Sequence, residues 1–283
     1  MRCPRCGEEN RSTASFCVTC GARLGIDCTQ CGAALTPQNK FCPDCGHPVL
    51  RPRFAAPEDY TPRRLADKIL AASRTLEGER RQVTVLFADL KGSMELVAPR
   101  DPEEALGILD PMLELMMEAV HRYEGVVNQV MGDGIMALFG APLVQKDHAF
   151  RACRAALRMQ ESVARYAAAL RRSRDVRVQI RVGVNSGEVI VRAVGSDLRW
   201  DYTAVGMPTH IAARMEQVAA PGSIFVTGET LKLVEDEVES RSIGRVVIKG
   251  VPEGLEAHEL VGLRRKMEAS RRSVVALLPE LSV

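Results

Sequence analysis

Eight of the nine cysteines in this 283-residue chain lie within its first 45 positions, as four C-x-x-C pairs: Cys3 with Cys6, Cys17 with Cys20, Cys28 with Cys31 and Cys42 with Cys45. Ten residues separate the pairs within each half, and every cysteine of the first half recurs 25 positions later in the second. The flanks repeat as well: CGARL at 20–24 is echoed by CGAAL at 31–35, and a glycine (Gly7, Gly21, Gly32, Gly46) follows the second cysteine of every pair. C-x-x-C places two thiolates on one tight turn, and two such turns supply the four that close a tetrahedral structural zinc site. A stretch this short has little core of its own, so metal binding would supply most of its folding free energy. The N-terminus, MRCPRCGEEN, has no hydrophobic run that could serve as a secretory signal, so metal is expected rather than disulfides, in the cytoplasm.

The arrangement resembles a double zinc ribbon covering residues 1–48. Two structural Zn²⁺ per chain are expected, one on Cys3, Cys6, Cys17 and Cys20, the other on Cys28, Cys31, Cys42 and Cys45. Four pairs in regular tandem fit a redox C-x-x-C poorly, and His47 is surplus to both complete sets. Residues 1–50 hold five Arg or Lys against four Asp or Glu, with Phe16 and Phe41 as the aromatics. Each four-thiolate site would add about −2, whereas a nucleic-acid surface would be more basic. The ribbons are therefore expected to dock a protein partner or to serve a structural role, with no nucleic acid bound.

The remainder is ordinary in composition: 46% of the chain is hydrophobic, 26% charged, and the formal net charge is +2, as in soluble globular proteins. The longest apolar runs, 135–144 and 274–279, fall short of the ~20 residues that span a bilayer, so no membrane association is expected. Residues 49–78 read as a linker, with three prolines in 49–64 and helical apolar spacing at Leu65, Ile69, Leu70 and Leu76. Residues 82–90 (QVTVLFADL) read as a buried strand, and 103–123 as a helix whose Pro111 marks a kink or its true start. Strands at 126–131 and 135–139 are joined by Gly132-Asp133-Gly134, a hairpin signal. A helix is expected at 148–170, two strands within 176–191 around Asn185-Ser186-Gly187, a helix at 208–219, and strands at 223–226 and 245–248. This is the β-α-β-β-α-β order of a ferredoxin-like fold, an α+β sheet with helices on one face. It is taken to run from 79 to 263. Beyond it, 264–283 is a tail with five Arg or Lys against one Glu in 264–272.

Two carboxylates stand out. Asp89 ends the first strand and Asp133 sits in the hairpin turn, so the sheet can bring both to one edge. Such a pair is an oxygen-rich site for Mg²⁺ together with substrate phosphates. Each aspartate alone is as easily a turn or capping residue. Their conjunction with FADLKGS at 87–93, MGDG at 131–134, DYTAVG at 201–206 and AAR at 212–214 resembles the class III nucleotidyl cyclase catalytic domain.

That resemblance implies an enzyme that converts ATP to 3′,5′-cyclic AMP and pyrophosphate. Asp89, Asp133 and the Leu90 carbonyl would hold two Mg²⁺ (or Mn²⁺) per active site. Arg214 would steady charge on the α-phosphate, Lys249 would contact the terminal phosphates, and Gln129 and Thr203 would read the base. The family commonly has lysine where Gln129 stands, and many members have asparagine where His210 would orient the ribose. Family members form two sites across a head-to-tail homodimer, the aspartates from one protomer and the arginine from the other. A regulatory module, here the ribbons, then need only rotate the protomers. The rival reading is a catalytically silent, nucleotide-sensing or partner-binding pseudo-cyclase. A diguanylate cyclase is disfavoured because the chain has no G-G-[DE]-E-F, and no G-x-x-x-x-G-K-[ST] loop is present to cradle phosphate instead. Cys153 is expected to be a buried core residue.

Overall fold

The computed structural model describes residues 8–11, 14, 17–19, 26–27, 30–35, 41–46, 54, 57–73, 77–194, 201–248 and 251–264. Within the cysteine-rich region, the short strands β1 (Ile26–Asp27) and β2 (Ala34–Leu35) pair antiparallel. The sequel is α1 (Pro57–Tyr60), α2 (Arg63–Ser73), β3 (Glu77–Leu90), α3 (Ser93–Val97), α4 (Pro102–Arg122), β4 (Val126–Val130), β5 (Gly134–Phe139) and α5 (His148–Arg174). It continues through β6 (Ile180–Val194), β7 (Asp201–Val205), α6 (Met207–Val218), β8 (Ile224–Thr227), α7 (Gly228–Lys232), β9 (Val238–Ile248) and β10 (Val251–Leu263).

Eight strands form one sheet in the order β4-β5-β3-β6-β8-β10-β9, with β7 also paired to β6. β6 and β8 run parallel, and the other pairs are antiparallel. β4-β5-β3-β6, with α4 and α5 as crossovers, is the expected ferredoxin-like core. Alternation along β3 sorts its side chains between two layers. Leu86, Ala88 and Leu90 face Met112, Met116, Cys153 and Met159 of α4 and α5. Val83 and Val85 face Leu65 and Ile69 of α2 and Ala212 of α6. Cys153 is fully buried, and burial pushes its thiol up to about 12, as an inert core residue requires.

Two expectations need correction. Helices do not cover one face alone: α2 and α6 pack on the face opposite α4 and α5. Residues 176–191 do not hold two strands. β6 runs unbroken from Ile180 to Val194, and Asn185-Ser186-Gly187 pairs in register with Val85, Thr84 and Val83. Of the two readings of Pro111, the helix start is excluded, since Pro111 lies inside α4. The helix expected within the linker is α2, whose Leu65 and Ile69 are buried. Tyr60 reaches the Val127 carbonyl, and Lys68 pairs with Glu124 at the turn before β4. No helix among the described residues is long and apolar enough to cross a membrane.

Candidate active site

The two aspartates meet because of strand register. β3 and β5 pair so that Asp89 stands opposite Gly134, and the preceding turn hands Asp133 to the same edge. Gly132, at φ 75°, makes that turn in a left-handed conformation that suits glycine. Gly134 is required for contact: a Cβ there would lie 2.6 Å from the Ala88 carbonyl oxygen and 2.8 Å from Asp89 Oδ1.

Asp89 also has a direct register partner on its other side, Arg181 of β6. Arg181 Nη2 donates to Asp89 Oδ2 at 3.2 Å and lies 2.7 Å from Glu216 Oε1 of α6. Its Nη1 donates to the Gln217 carbonyl at 3.2 Å. The Glu216 approach is close but poorly aligned, leaving Glu216 Oε1 and Arg181 Nε buried without a directed hydrogen bond. A cluster of three carboxylates and one guanidinium results. Burial, then the Asp133 charge, raises the Asp89 carboxyl above its usual range, and Arg181 pulls it back. Burial pushes Glu216 up to about 7, opposed by Arg181 and reinforced by Asp89 and Asp133. An unshared excess of negative charge on oxygen donors is the chemistry that accepts a hard divalent cation, so the residues present fit the Mg²⁺ or Mn²⁺ expected here.

The other expected residues lie on separate elements of the fold. Leu90 is buried next to Asp89, at the end of β3. Gln129 is exposed on β4, opposite Met136. Thr203 lies in β7 opposite Arg192, described in its backbone alone. His210 and Arg214 are both exposed on α6, and Arg214 Nη1 donates to Gln217 Oε1 of its own helix. Among the described residues neither His210 nor Arg214 forms an ion pair with Asp89 or Asp133. Lys249 lies outside the described residues. Arg181 and Glu216 were not expected from the sequence. A cavity of about 550 Å³ lies elsewhere, between α1 and α4, lined by Phe54, Tyr60, Met117 and His121 among others. It is remote in the fold from the aspartates, which sit half-exposed at an open edge.

In the N-terminal region the sulfurs of Cys31, Cys42 and Cys45 lie within 4.8 Å of one another, and Cys31 Sγ is 3.6 Å from Cys42 Sγ. These are three of the four thiolates assigned to the second zinc site. Cys17 is buried beside Asn10 Nδ2 at 3.6 Å. Cys3, Cys6, Cys20 and Cys28 lie outside the described residues.

Comparison with known proteins agrees with this geometry. Residues 77–262 match the family described as adenylate and guanylate cyclase catalytic domain, and residues 3–46 match the double zinc ribbon. Adenylate cyclase 1 of Rhizobium meliloti (strain 1021) is 30% identical over 199 residues, 70% of this chain and 30% of the relative. An uncharacterised protein of Mycobacterium tuberculosis is 31% identical over 198 residues, 67% of this chain and 34% of its own length. The chain thus matches about a third of the length of these curated relatives. Among solved structures, the adenylyl cyclase CyaB from P. aeruginosa superposes with a TM-score of 0.63 at 30% identity, covering 67% of this chain and 98% of that one. The guanylyl cyclase Cya2 gives 0.61 at 30%, covering 68% and 97%. With two aspartates converging at the edge of a ferredoxin-like sheet, and with the family's profile matched across that sheet, the chain belongs to the adenylate and guanylate cyclase catalytic domain family, its catalytic domain preceded by a double zinc ribbon.

Proposed function

We propose that the chain is an adenylate cyclase that converts ATP to 3′,5′-cyclic AMP and pyrophosphate in a homodimer with two shared active sites. The observation that carries the reading is the convergence of Asp89 and Asp133, crowded enough to raise the Asp89 carboxyl, in a chain of this family. Asp89, Asp133 and the Leu90 carbonyl would hold two Mg²⁺ or Mn²⁺. When bound, such ions acidify a ribose 3′-hydroxyl and offset triphosphate charge. The 3′-oxygen attacks the α-phosphorus, the bond from that phosphorus to the bridging oxygen breaks, and pyrophosphate leaves.

Arg214 meets the charge that develops on the α-phosphate, work suited to a planar guanidinium. Its exposure on α6, with no ion pair to Asp89 or Asp133 among the described residues, supports a role across a dimer interface. His210, one turn earlier on the same helix, orients the ribose, and Lys249 takes the terminal phosphates. Gln129 and Thr203 each donate and accept hydrogen bonds and can read an adenine edge. ATP is also the substrate implied by the names of two of the relatives, while Cya2 makes GTP the comparison to run. Arg181 holds the Asp89 charge until a cation takes it over. Two Zn²⁺ per chain fold the ribbons, which act as a regulatory module or dock a protein partner, with neither membrane nor nucleic acid involved. A reducing, cytoplasmic location suits this many zinc-binding thiolates.

The test is cyclic nucleotide production by the purified chain with Mg²⁺ or Mn²⁺, comparing ATP with GTP and running Asp89→Ala in parallel. Cyclic AMP that is lost in the variant and rises more steeply than linearly with protein concentration supports the reading. Cyclic GMP in equal amount would overturn the substrate assignment. No product with either metal, from a chain that still binds ATP, would make it a silent module.

A further inference from the structure

Strand β6 meets helix α6 through alternate residues of one face. Positions 181, 183, 185 and 187 recur at the two-residue period of a strand, and each touches the helix. Arg181 holds the Gln217 carbonyl near its C-terminal end. A Cβ on Gly183 would lie 2.0 Å from the Glu216 nitrogen and 2.4 Å from the Ala212 oxygen, and one on Gly187 would lie 2.7 Å from Pro208 Cγ. Between the two glycines stands Asn185, which is 3% exposed. Its Nδ2 donates to the Pro208 carbonyl at 3.0 Å, and its Oδ1 accepts from Thr227 Oγ1 at 2.7 Å. Thr227 is itself fixed as the N-cap of α7, accepting from the Thr230 nitrogen.

The glycines let α6 sit against the strand, but bare backbone offers nothing that stops a helix sliding along it. A directed hydrogen bond does. The Asn185 amide is anchored behind by Thr227 and reaches forward to the first turn of α6. That bond sets the helix's height at the end nearer His210. Both His210 and Arg214 ride on the exposed side of this helix, so a displaced Pro208 carries them with it.

We propose that Asn185 is a positioning residue that sets Arg214 and His210 for the reaction through its bond to Pro208. The inference rests on the proposed function, in which α6 of one protomer serves the aspartates of the other. Asn185 therefore acts on the partner's site, although its own strand also presents Arg181 to Asp89 of the same protomer.

Mixing variants tests this. Asp89→Ala, Arg214→Ala and Asn185→Ala are purified separately, then combined in pairs and assayed with ATP and Mn²⁺. Asn185→Ala alone is expected to lose about ten- to a hundredfold in kcat with the KM for ATP within about twofold, the scale of loss for a catalytic group misplaced by ~1 Å. Mixed with Asp89→Ala it regains cyclic AMP production, because each mixed dimer contains one site with an intact aspartate side and an intact arginine side. Mixed with Arg214→Ala it regains none. Regain with Arg214→Ala instead, or wild-type kcat in the single variant, overturns the proposal. Where Asn185→Ala fails to fold by circular dichroism, Gly187→Ala presses the same Pro208 and must regain activity with Asp89→Ala only; any other pairing pattern overturns the proposal. Asp89→Ala and Arg214→Ala mixed together are the control. If that pair stays silent while the wild type is active, the shared-site reading falls and the inference falls with it. Control regain without Asn185 regain rejects the inference alone.

Discussion

Arg181 stands directly opposite Asp89 across the β3–β6 ladder, with its Nη2 3.2 Å from Asp89 Oδ2. In the proposed function Asp89 must be ionised to take a cation, yet burial and Asp133 oppose its ionisation, and one guanidinium offsets them only in part. The same guanidinium reaches α6 at Glu216 and Gln217. The aspartate end of β3 and the helix carrying Arg214 are therefore joined within one protomer.

Arg181→Met removes the group that lowers the Asp89 carboxyl, so that carboxyl titrates higher still. Ionisation is then lost at a higher pH, and Mn²⁺ binding weakens on the acid side. At alkaline pH the variant binds Mn²⁺ as well as the unsubstituted chain or better, since a cation has left the ligand's side. Mn²⁺ titrations by electron paramagnetic resonance at pH 5 and pH 8 read the difference. An unchanged ratio of affinities between the two would refute the coupling.

Glu216 gives a second pH signature, of opposite use. Its folded pKa of about 7 exceeds the ordinary 4.5, so the folded chain binds this proton more tightly than the unfolded one. Its contribution is most favourable below pH 4.5 and is lost as pH rises to about 7. At ~1.4 kcal/mol per unit the loss is on the order of 3 kcal/mol, an upper figure. Glu216→Gln should flatten this fall in urea midpoints measured between pH 5 and 7 without added Mg²⁺. A slope that persists undiminished in the variant would mean that other groups carry it.

Much of this is legible in the sequence, for identifiable reasons. Asp89 closes a run of apolar β-formers, and Gly132-Asp133-Gly134 is local turn chemistry, so both aspartates announce themselves within a few residues. Arg181 and Glu216 do not. Arg181 becomes important only through register with a strand 92 positions away, and Glu216 reads as one more polar residue of an amphipathic helix until Gly183 draws the helix onto the strand. Asn185-Ser186-Gly187 has turn composition, yet β3 pairs with it throughout, and the Asn185 amide is spent on Pro208 and Thr227 rather than on its own backbone. The sequence shows β9 only at 245–248 because it is an exposed sheet edge: between the buried Val238 and Ile248 almost every residue is exposed, leaving few apolar positions to betray it. The packing of α2 on the sheet was likewise hidden, since proline-rich flanks gave its segment the look of a linker.

Gly134→Ala should separate the two aspartates. The new Cβ would meet the Ala88 carbonyl and the Asp89 carboxylate inside normal contact, and the carbonyl belongs to a paired strand that cannot easily yield. Overpacking of this kind costs roughly 1–3 kcal/mol, visible as a lower urea midpoint. The half-saturating Mn²⁺ concentration for activity should rise by about tenfold or more, the scale of loss when the contacts that orient a metal ligand are disturbed. A variant with the unsubstituted metal dependence would show that the turn does not need to touch Asp89.

The cysteine cluster makes a stoichiometric prediction. Cys31, Cys42 and Cys45 already converge, and Cys42 is 2% exposed beside Leu35 in a small apolar cluster, so as a zinc ligand its sulfur would also be a piece of what little core the ribbon has. Cys42→Ser replaces a soft thiolate with a hydroxyl that binds zinc poorly. Bound zinc, measured by inductively coupled plasma mass spectrometry, should fall from two ions per chain to one, with the set on Cys3, Cys6, Cys17 and Cys20 still occupied. The catalytic sheet has its own buried core, so its thermal transition should be unmoved by the loss. Two zinc ions retained in the variant would refute the ligand assignment, and a collapse of both transitions together would mean that the ribbons and the cyclase domain fold as one unit.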